Sequence, residues 1–446
     1  MRVLKFGGTS VQNAEMIDGT LAIAERQIDR APVLVVSAMA RVTDQLQEIA
    51  KLVGAGKDAE ADAILSEIME RHLSCARSFL AGRNLARCEE DLSSVSGELR
   101  ALVKALAMLK EWSKRSNDAI LSFGERFATI LLLHRAREKG IDAELFDSRE
   151  LVKTDDSFTS ALPIEDLTNR LISSKVSPAP GKLKILQGFI GSTMGGATTT
   201  LGRGGSDYTA TIVGAALRAE EVQIWTDVTG IMTSDPRIVK DARTLSQISY
   251  REAAELAYFG AKVIHPSTLQ PAVNLGIPVW VKNTFRPDEE GTKIVPSLPA
   301  MGLRAIACKK GITLVSVGSS RMLLAYGFLR RIFEIFEKYQ TPVDLIATSE
   351  VSVSVTIDNP SAVDDIARDL AEIGTVGVET EKSIICLVGQ DLWKDTVFLA
   401  RVFSSLKTTP VRMISLGASD INLSLVVPVE NTEDSVRRLH DEFFGA

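Results

Sequence analysis

From residue 1 to about 295, short runs of aliphatic and β-branched residues alternate with longer segments in which apolar positions recur every three or four residues. The short runs at 2–6, 33–37, 184–189, 222–226 and 279–281 predict strands. They are mostly apolar rather than strictly alternating, which predicts burial on both faces, as in a parallel sheet. The longer segments 59–80, 91–112 and 117–139 predict helices. The alternation of the two kinds predicts an α/β fold, a mostly parallel sheet with helices on both faces. Both periods break at Phe285-Arg-Pro-Asp-Glu-Glu-Gly291 and again at Pro296-Ser-Leu-Pro299, which predicts a domain boundary and sets the first domain at 1–295.

Beyond it the pattern repeats on itself. Phe328-Leu-Arg-Arg-Ile-Phe333 aligns with Phe398-Leu-Ala-Arg-Val-Phe403, and Thr341-Pro-Val343 with Thr409-Pro-Val411, an offset of 70 to 68 residues. Each copy predicts helix, two strands and helix: 327–339, 343–348, 351–357 and 362–373, then 397–406, 411–416, 421–427 and 432–443. A leading strand at 312–317 and a trailing one at 377–381 complete a ferredoxin-like βαββαβ module in the first copy.

A length of 446 residues suits two or three packed units. The 51 basic and 57 acidic residues are interspersed, with no basic run able to track a phosphate backbone, so a nucleic-acid partner is not expected. No apolar run has the length of a membrane span. Cys75, Cys88, Cys308 and Cys386 are widely spaced and include no C-x-x-C pair, and the four histidines are equally scattered, so neither a disulfide framework nor a histidine metal site is expected. The immediate passage from Val3-Leu4 into Gly7-Gly8 leaves no room for a secretory signal, and the expected location is the cytoplasm.

Three glycine-bordered sites carry candidate chemistry. At Lys5-Phe6-Gly7-Gly8-Thr9-Ser10 a strand enters a glycine turn whose amides can face a phosphate, with Lys5 adding a point charge. The spacing is not that of a P-loop, and a ligand-free strand-to-helix turn remains the bland alternative. In Thr200-Leu-Gly-Arg-Gly-Gly-Ser-Asp207, Arg203 can fork onto a carboxylate, while Asp207 at a helix start is also explained by capping. The run Ile224-Trp-Thr-Asp-Val-Thr-Gly-Ile-Met-Thr-Ser-Asp-Pro-Arg237 turns polar at the carboxyl end of a strand, where α/β sheets bind ligands, and places Thr226 and Asp227 beside a nucleotide. Asp235-Pro-Arg237 reads equally as an ordinary turn. Glu125 shares a predicted helical face with Leu121, Ala128 and Leu132, so it is either a boundary glutamate near solvent or the partner of a substrate ammonium.

Taken together, KFGGTS at 5–10, SFGER at 122–126, TTTLGRGGSDYTA at 198–210, WTDVTGIMTSDPR at 225–237 and FGAKVIHP at 259–266 resemble the aspartate kinases over nearly the whole chain. The resemblance implies an amino-acid-kinase domain followed by two ACT modules, the first at 311–382 and the second built from 303–309 plus 383–446. The segment 303–309 would then supply the leading strand of the later copy. It implies phosphorylation of the side-chain carboxylate of L-aspartate by ATP with Mg²⁺. Lys5, Asp207 and Lys262 would act on the phosphoryl group, and Thr43, Glu125, Arg203, Gly204 and Ser206 would hold aspartate. ATP would meet Lys5, Gly7, Gly8, Thr9, Ser10, Thr226, Asp227, Met232, Arg237 and Lys262, with Met232 departing from the tyrosine common at that place. The resemblance to the lysine-sensitive branch implies an amino-acid effector, lysine, at Met322, Gly327, Phe328, Leu329, Val343, Asp344, Thr348, Ser349 and Glu350. Its ammonium would go to Asp344 and Glu350. The resemblance also implies a homodimer or higher homo-oligomer. Two other readings stand beside it: a kinase of the same superfamily acting on glutamate or N-acetylglutamate, and a catalytically idle ACT-type amino-acid sensor.

Overall fold

The structure, a computed structural model, describes residues 1–110, 112–260, 264–298, 301–322 and 326–445. The chain forms two compact units: Met1–Ile231, Ser246–Tyr250 and Val263–Ser297 in one, and Met232–Leu245, Arg251–Lys262 and Leu298–Ala446 in the other.

The first unit is built on an eight-stranded sheet in the order Asp142–Phe146, Lys182–Gln187, Val33–Val36, Arg2–Phe6, Glu221–Thr226, Val279–Asn283, Thr292–Val295, Gln247–Ser249. Among the described residues, only the pair Val279–Asn283 and Thr292–Val295 of this sheet is antiparallel. Helices cover both faces, as the buried strands require. On one face Leu4, Phe6, Leu34 and Val36 pack into a core with Ile17, Leu46, Leu65, Phe127 and Leu131. On the other, the helix Gly205–Ala216 lies over Val3 and Val222. In register, Phe6 stands opposite both Val36 and Trp225, so three strands end together and their following loops share one edge.

Two helix expectations need correction. The single helix expected at 117–139 is two helices, Lys114–Leu121 and Phe123–Glu138, meeting at Ser122. The Ser122 hydroxyl donates to the Ala119 carbonyl at 2.7 Å, the kind of local side-chain bond that bends a helix, so Leu121 does not share a helix with Glu125. The helix expected to begin at Asp91 begins at Gly82, because the polar stretch before Asp91 carries too few apolar positions to show a period.

In the second unit a six-stranded antiparallel sheet runs Ile346–Thr348, Ser352–Ile357, Gly302–Gly318, Thr375–Gln390, Asn422–Pro428, Met413–Leu416. Its two central strands are long enough to serve both repeats, with register shifts between Lys310 and Leu314. The repeat is physical: Phe328, Ile332 and Phe336 bury one helix stripe, and Phe398, Val402 and Leu406 bury its counterpart. The role of 303–309 differs from the expectation. The strand that leads into the helix Thr396–Ser405 is the second half of Thr375–Gln390, and 303–309 pairs on its far side as an outer strand. Segments 232–245 and 251–262, which precede the expected boundary, belong to this unit through bonds such as Thr233 Oγ1 with His440 Nε2 (2.9 Å) and Asn422 Nδ2 to Glu255 (2.7 Å).

Candidate active site

The loops that leave the aligned strand ends of the first unit border an open cavity of about 430 Å³. Lys5, Gly8, Thr43, Glu125, Arg203, Gly204, Ser206 and Asp207 all line it, so residues spread over 200 positions of sequence meet at one place. Lys5 is delivered by the first strand, and its Nζ lies 2.6 Å from Asp207 Oδ1 in the first turn of the helix Gly205–Ala216. Both side chains are nearly buried, so little water screens the pair. The turn after the strand is tight. A Cβ on Gly8 would lie 2.8 Å from the Ala38 carbonyl, and the Gly8 carbonyl accepts from the Ala40 amide at 3.1 Å. Only glycine lets this turn and the loop 37–41 approach this closely.

Glu125 enters the cavity from the first turn of its helix and is 3 % exposed, which removes the reading as a boundary glutamate. Its Oε1 accepts from the Ala38 amide at 3.1 Å, while Oε2 is buried with no hydrogen-bond partner among the described residues. Burial pushes its carboxyl up to about 8, against the opposing pull of that amide. A buried, half-satisfied carboxylate facing a cavity is a receptor for a cation that the protein does not itself supply. Arg203, by contrast, is exposed and makes no ion pair or hydrogen bond among the described residues, leaving its guanidinium open to an anion. One cavity thus presents an acceptor for an ammonium and a donor fork for a carboxylate, with Lys5 and Asp207 at its border.

The residues expected to meet ATP divide. The Gly7 amide donates to the Trp225 carbonyl, so Gly7 sits beside the strand end that carries Thr226 and Asp227. Thr9 lies in the short 3-10 turn Gly8–Val11. Ser10 is a correction: it is fully buried, its hydroxyl bonds Thr284 Oγ1 at 2.7 Å and its amide donates to Gly7, so it braces the turn from behind and offers nothing to a ligand. Met232 and Arg237 belong to the second unit, where Arg237 is exposed and held by Asp235 at 2.6 Å. Lys262 lies outside the described residues. Ser37, Ala38, Arg41, Asp44 and Phe189 also line the cavity without having been singled out; the carboxyl end of the strand 33–37 was the available signal. A second cavity of about 330 Å³, lined by Arg2, Trp225, Trp280 and Lys282 among others, holds none of the candidates.

Comparison with known proteins places this geometry. Residues 1–283 match the amino acid kinase family and residues 385–443 the ACT domain. Over 99 % of its length the chain is 39 % identical to Aspartokinase 3, chloroplastic, of Arabidopsis thaliana, of which it covers 81 %. The chain belongs to the aspartokinase family. Among solved structures, this aspartokinase matches E. coli aspartokinase III in complex with aspartate and ADP (R-state) with a TM-score of 0.84 at 36 % identity, each chain being covered in full. The complex of that enzyme with lysine and aspartate (T-state) matches with the same TM-score and identity, over 100 % of this chain and 99 % of the other.

In the second unit of this aspartokinase, the expected effector residues fall near the start of one helix and along the segment that contains the strand Ile346–Thr348. Gly327 begins the helix Phe328–Lys338 without a side-chain cap, Phe328 is buried, Leu329 is exposed, and Met322 and Val343 pack against the same core. Thr348, Ser349 and Glu350 lie exposed at a strand end, the Ser349 hydroxyl bonded to Ser352 at 2.7 Å. Asp344 does not stand open. Lys309 Nζ lies 3.1 Å from its Oδ1 and 2.9 Å from Asp358 Oδ2, over the Tyr258 ring, whose hydroxyl donates to the same Oδ1 at 2.5 Å. Asp344 Oδ2 is buried without a hydrogen-bond partner among the described residues.

Proposed function

We propose that this chain phosphorylates the side-chain carboxylate of L-aspartate with ATP, giving 4-phospho-L-aspartate and ADP, and is inhibited by lysine. The observation that carries the reading is the buried Glu125, half-satisfied among the described residues, facing the same cavity as Arg203, which is unpaired among them. Glu125 takes the α-ammonium and Arg203 the α-carboxylate, which leaves the side-chain carboxylate to face Lys5 and Asp207. Thr43, Gly204 and Ser206 complete the amino-acid pocket. The attacking carboxylate, with a pKa near ~3.9, is already ionised at neutral pH and needs no base. The residues therefore position it and offset charge on the transferred phosphoryl group, the Lys5 ammonium and the glycine-turn amides being the donors. Thr226 and Asp227, on the same sheet edge as Gly7 and Gly8, border the nucleotide.

Among the described residues no cluster of three or more His, Cys, Asp or Glu is built to hold a metal ion. The carboxylate of Asp207, which lines the cavity beside Lys5, fits a Mg²⁺ carried chiefly by phosphate oxygens and water. Bound there, Mg²⁺ would neutralise charge on the phosphoryl oxygens. Two further assignments belong to the same proposal. The cytoplasm suits four free thiols, of which Cys75, Cys88 and Cys386 are buried and pushed up to about 12 by that burial. Assembly is as a homodimer or higher homo-oligomer.

The test is ADP release together with hydroxamate trapping of the acyl phosphate, using aspartate, glutamate, N-acetylglutamate or no substrate, each with and without lysine. Trapping that requires aspartate and falls with lysine is expected. Trapping with glutamate alone would reassign the substrate, and none with any acceptor would leave a sensor.

A further inference from the structure

Asp118 lies in the last turn of the helix Lys114–Leu121 and is fully buried. Its Oδ2 accepts from the amides of Thr159 (2.8 Å) and Thr200 (2.9 Å), and its Oδ1 from the Thr200 hydroxyl (2.9 Å). None of these partners is a cation, and burial raises its pKa in spite of all three bonds. A buried carboxylate without a counter-ion is costly, so its position matters more than its charge.

That position joins the two halves of the amino-acid clamp. Seven residues after Asp118 comes Glu125, and the bend between them is held by the Ser122 amide donating to the Asp118 carbonyl at 3.1 Å. Three residues after Thr200 comes Arg203. A third segment is drawn in by Thr159, a β-branched residue at φ 77, a conformation that persists only when its surroundings enforce it. The Thr159 carbonyl packs on Gly202, itself at φ 74, where a Cβ would come within 3.2 Å of that oxygen. The Ala161 amide then returns to the Thr200 carbonyl at 2.9 Å. The turn that rests on the glycine before Arg203, the strand that delivers Arg203 and the helix that leads to Glu125 therefore share one carboxylate.

We propose that Asp118 is a positioning residue that sets the separation of Glu125 and Arg203, and through it the preference for aspartate over an amino acid one methylene longer. The inference rests on the reading of Glu125 and Arg203 as the aspartate clamp.

Asp118→Ala leaves two buried amides unpaired. It should raise KM for aspartate about tenfold or more and lower the aspartate-to-glutamate ratio of kcat/KM about fivefold, with KM for ATP within about twofold. Asp118→Asn should restore near-normal behaviour, because its amide oxygen still accepts both N–H groups while the Thr200 hydroxyl turns to accept from the new NH₂. Thr200→Val should reproduce part of the defect and Thr200→Ser should not; this pair carries the test if Asp118→Ala does not fold. Leu99→Ala, a buried change elsewhere in the unit, is the control for general loosening and should leave the aspartate-to-glutamate ratio unchanged. Equal losses for aspartate and ATP, a ratio no different from that of Leu99→Ala, or an Asn variant as impaired as Ala would overturn the inference. Glu125→Gln and Arg203→Ala run in parallel separate the two claims: if they also leave KM for aspartate unchanged, it is the clamp that is wrong.

Discussion

Three side chains in the cavity make separable predictions. Lys5, nearly buried against Asp207, is the cation proposed to meet the transferred phosphoryl group, so Lys5→Ala should lower kcat by about 10²-fold or more with the thermal transition retained. Near-normal turnover would remove Lys5 from the chemistry. Arg203 makes no ion pair or hydrogen bond among the described residues, so Arg203→Ala should leave stability unchanged and raise KM for aspartate about 10- to 100-fold, the range for a lost charge-assisted hydrogen bond. If KM for ATP moved instead, the two pockets would be reversed. Glu125 makes a prediction about protons. Its folded value of about 8 lies above the ordinary 4.5, so the free enzyme holds a proton there that the unfolded chain releases, and this group's contribution to stability falls as pH rises between the two values. Binding the ammonium of aspartate requires the ionised form. Titration calorimetry at pH 7 in buffers of different ionisation enthalpy should show release approaching ~1 proton per aspartate, and Glu125→Gln should abolish it. Its burial could not be read from the chain, because the residues around it in sequence fit a helix face at a solvent boundary as well as one inside the protein.

At the scale of elements, strands were the most legible feature and helix limits the least. All five expected strands of the first unit exist, since a run of aliphatic residues has few places to go other than the middle of a parallel sheet. The break at Ser122 was hidden because the helix after it is buried on nearly every side, so no polar stripe marks its phase. The double use of the two long strands was hidden for another reason: each carries two pairings end to end, and only the register shifts near Ile312 separate them. The strand half that ends at Lys309 brings a prediction of its own. The ammonium of Lys309 already occupies Asp344, so an effector ammonium directed there must displace or share it. Lys309→Met should lower the lysine concentration for half-inhibition, by about tenfold if one charge-assisted contact is freed, and should lower the melting temperature in the absence of lysine. An unchanged half-inhibition value would place the effector ammonium elsewhere.

For the whole molecule, two compact units and an effector expected in one of them make stability depend on ligand in a separable way. Lysine at about 100 times its dissociation constant should stabilise the unit that binds it by ~2.7 kcal/mol. Scanning calorimetry should show one transition raised by lysine and a different response to aspartate, and lysine that shifts no transition would argue against a bound effector. A linear boundary near 295 has no place for 232–245 and 251–262, which cluster with the second unit through bonds to His440 and Asn422 that cross more than 150 residues. Hydrophobic period, glycine punctuation and an internal repeat are local quantities, so strands, glycine turns and the doubled C-terminal pattern could be read along the chain. Which loops share a sheet edge, that Ser10 turns inward while Glu125 is left half-satisfied, and that Lys309 closes on Asp344 are set by packing between distant segments. That packing, through the desolvation of charged groups, assigns each residue its role.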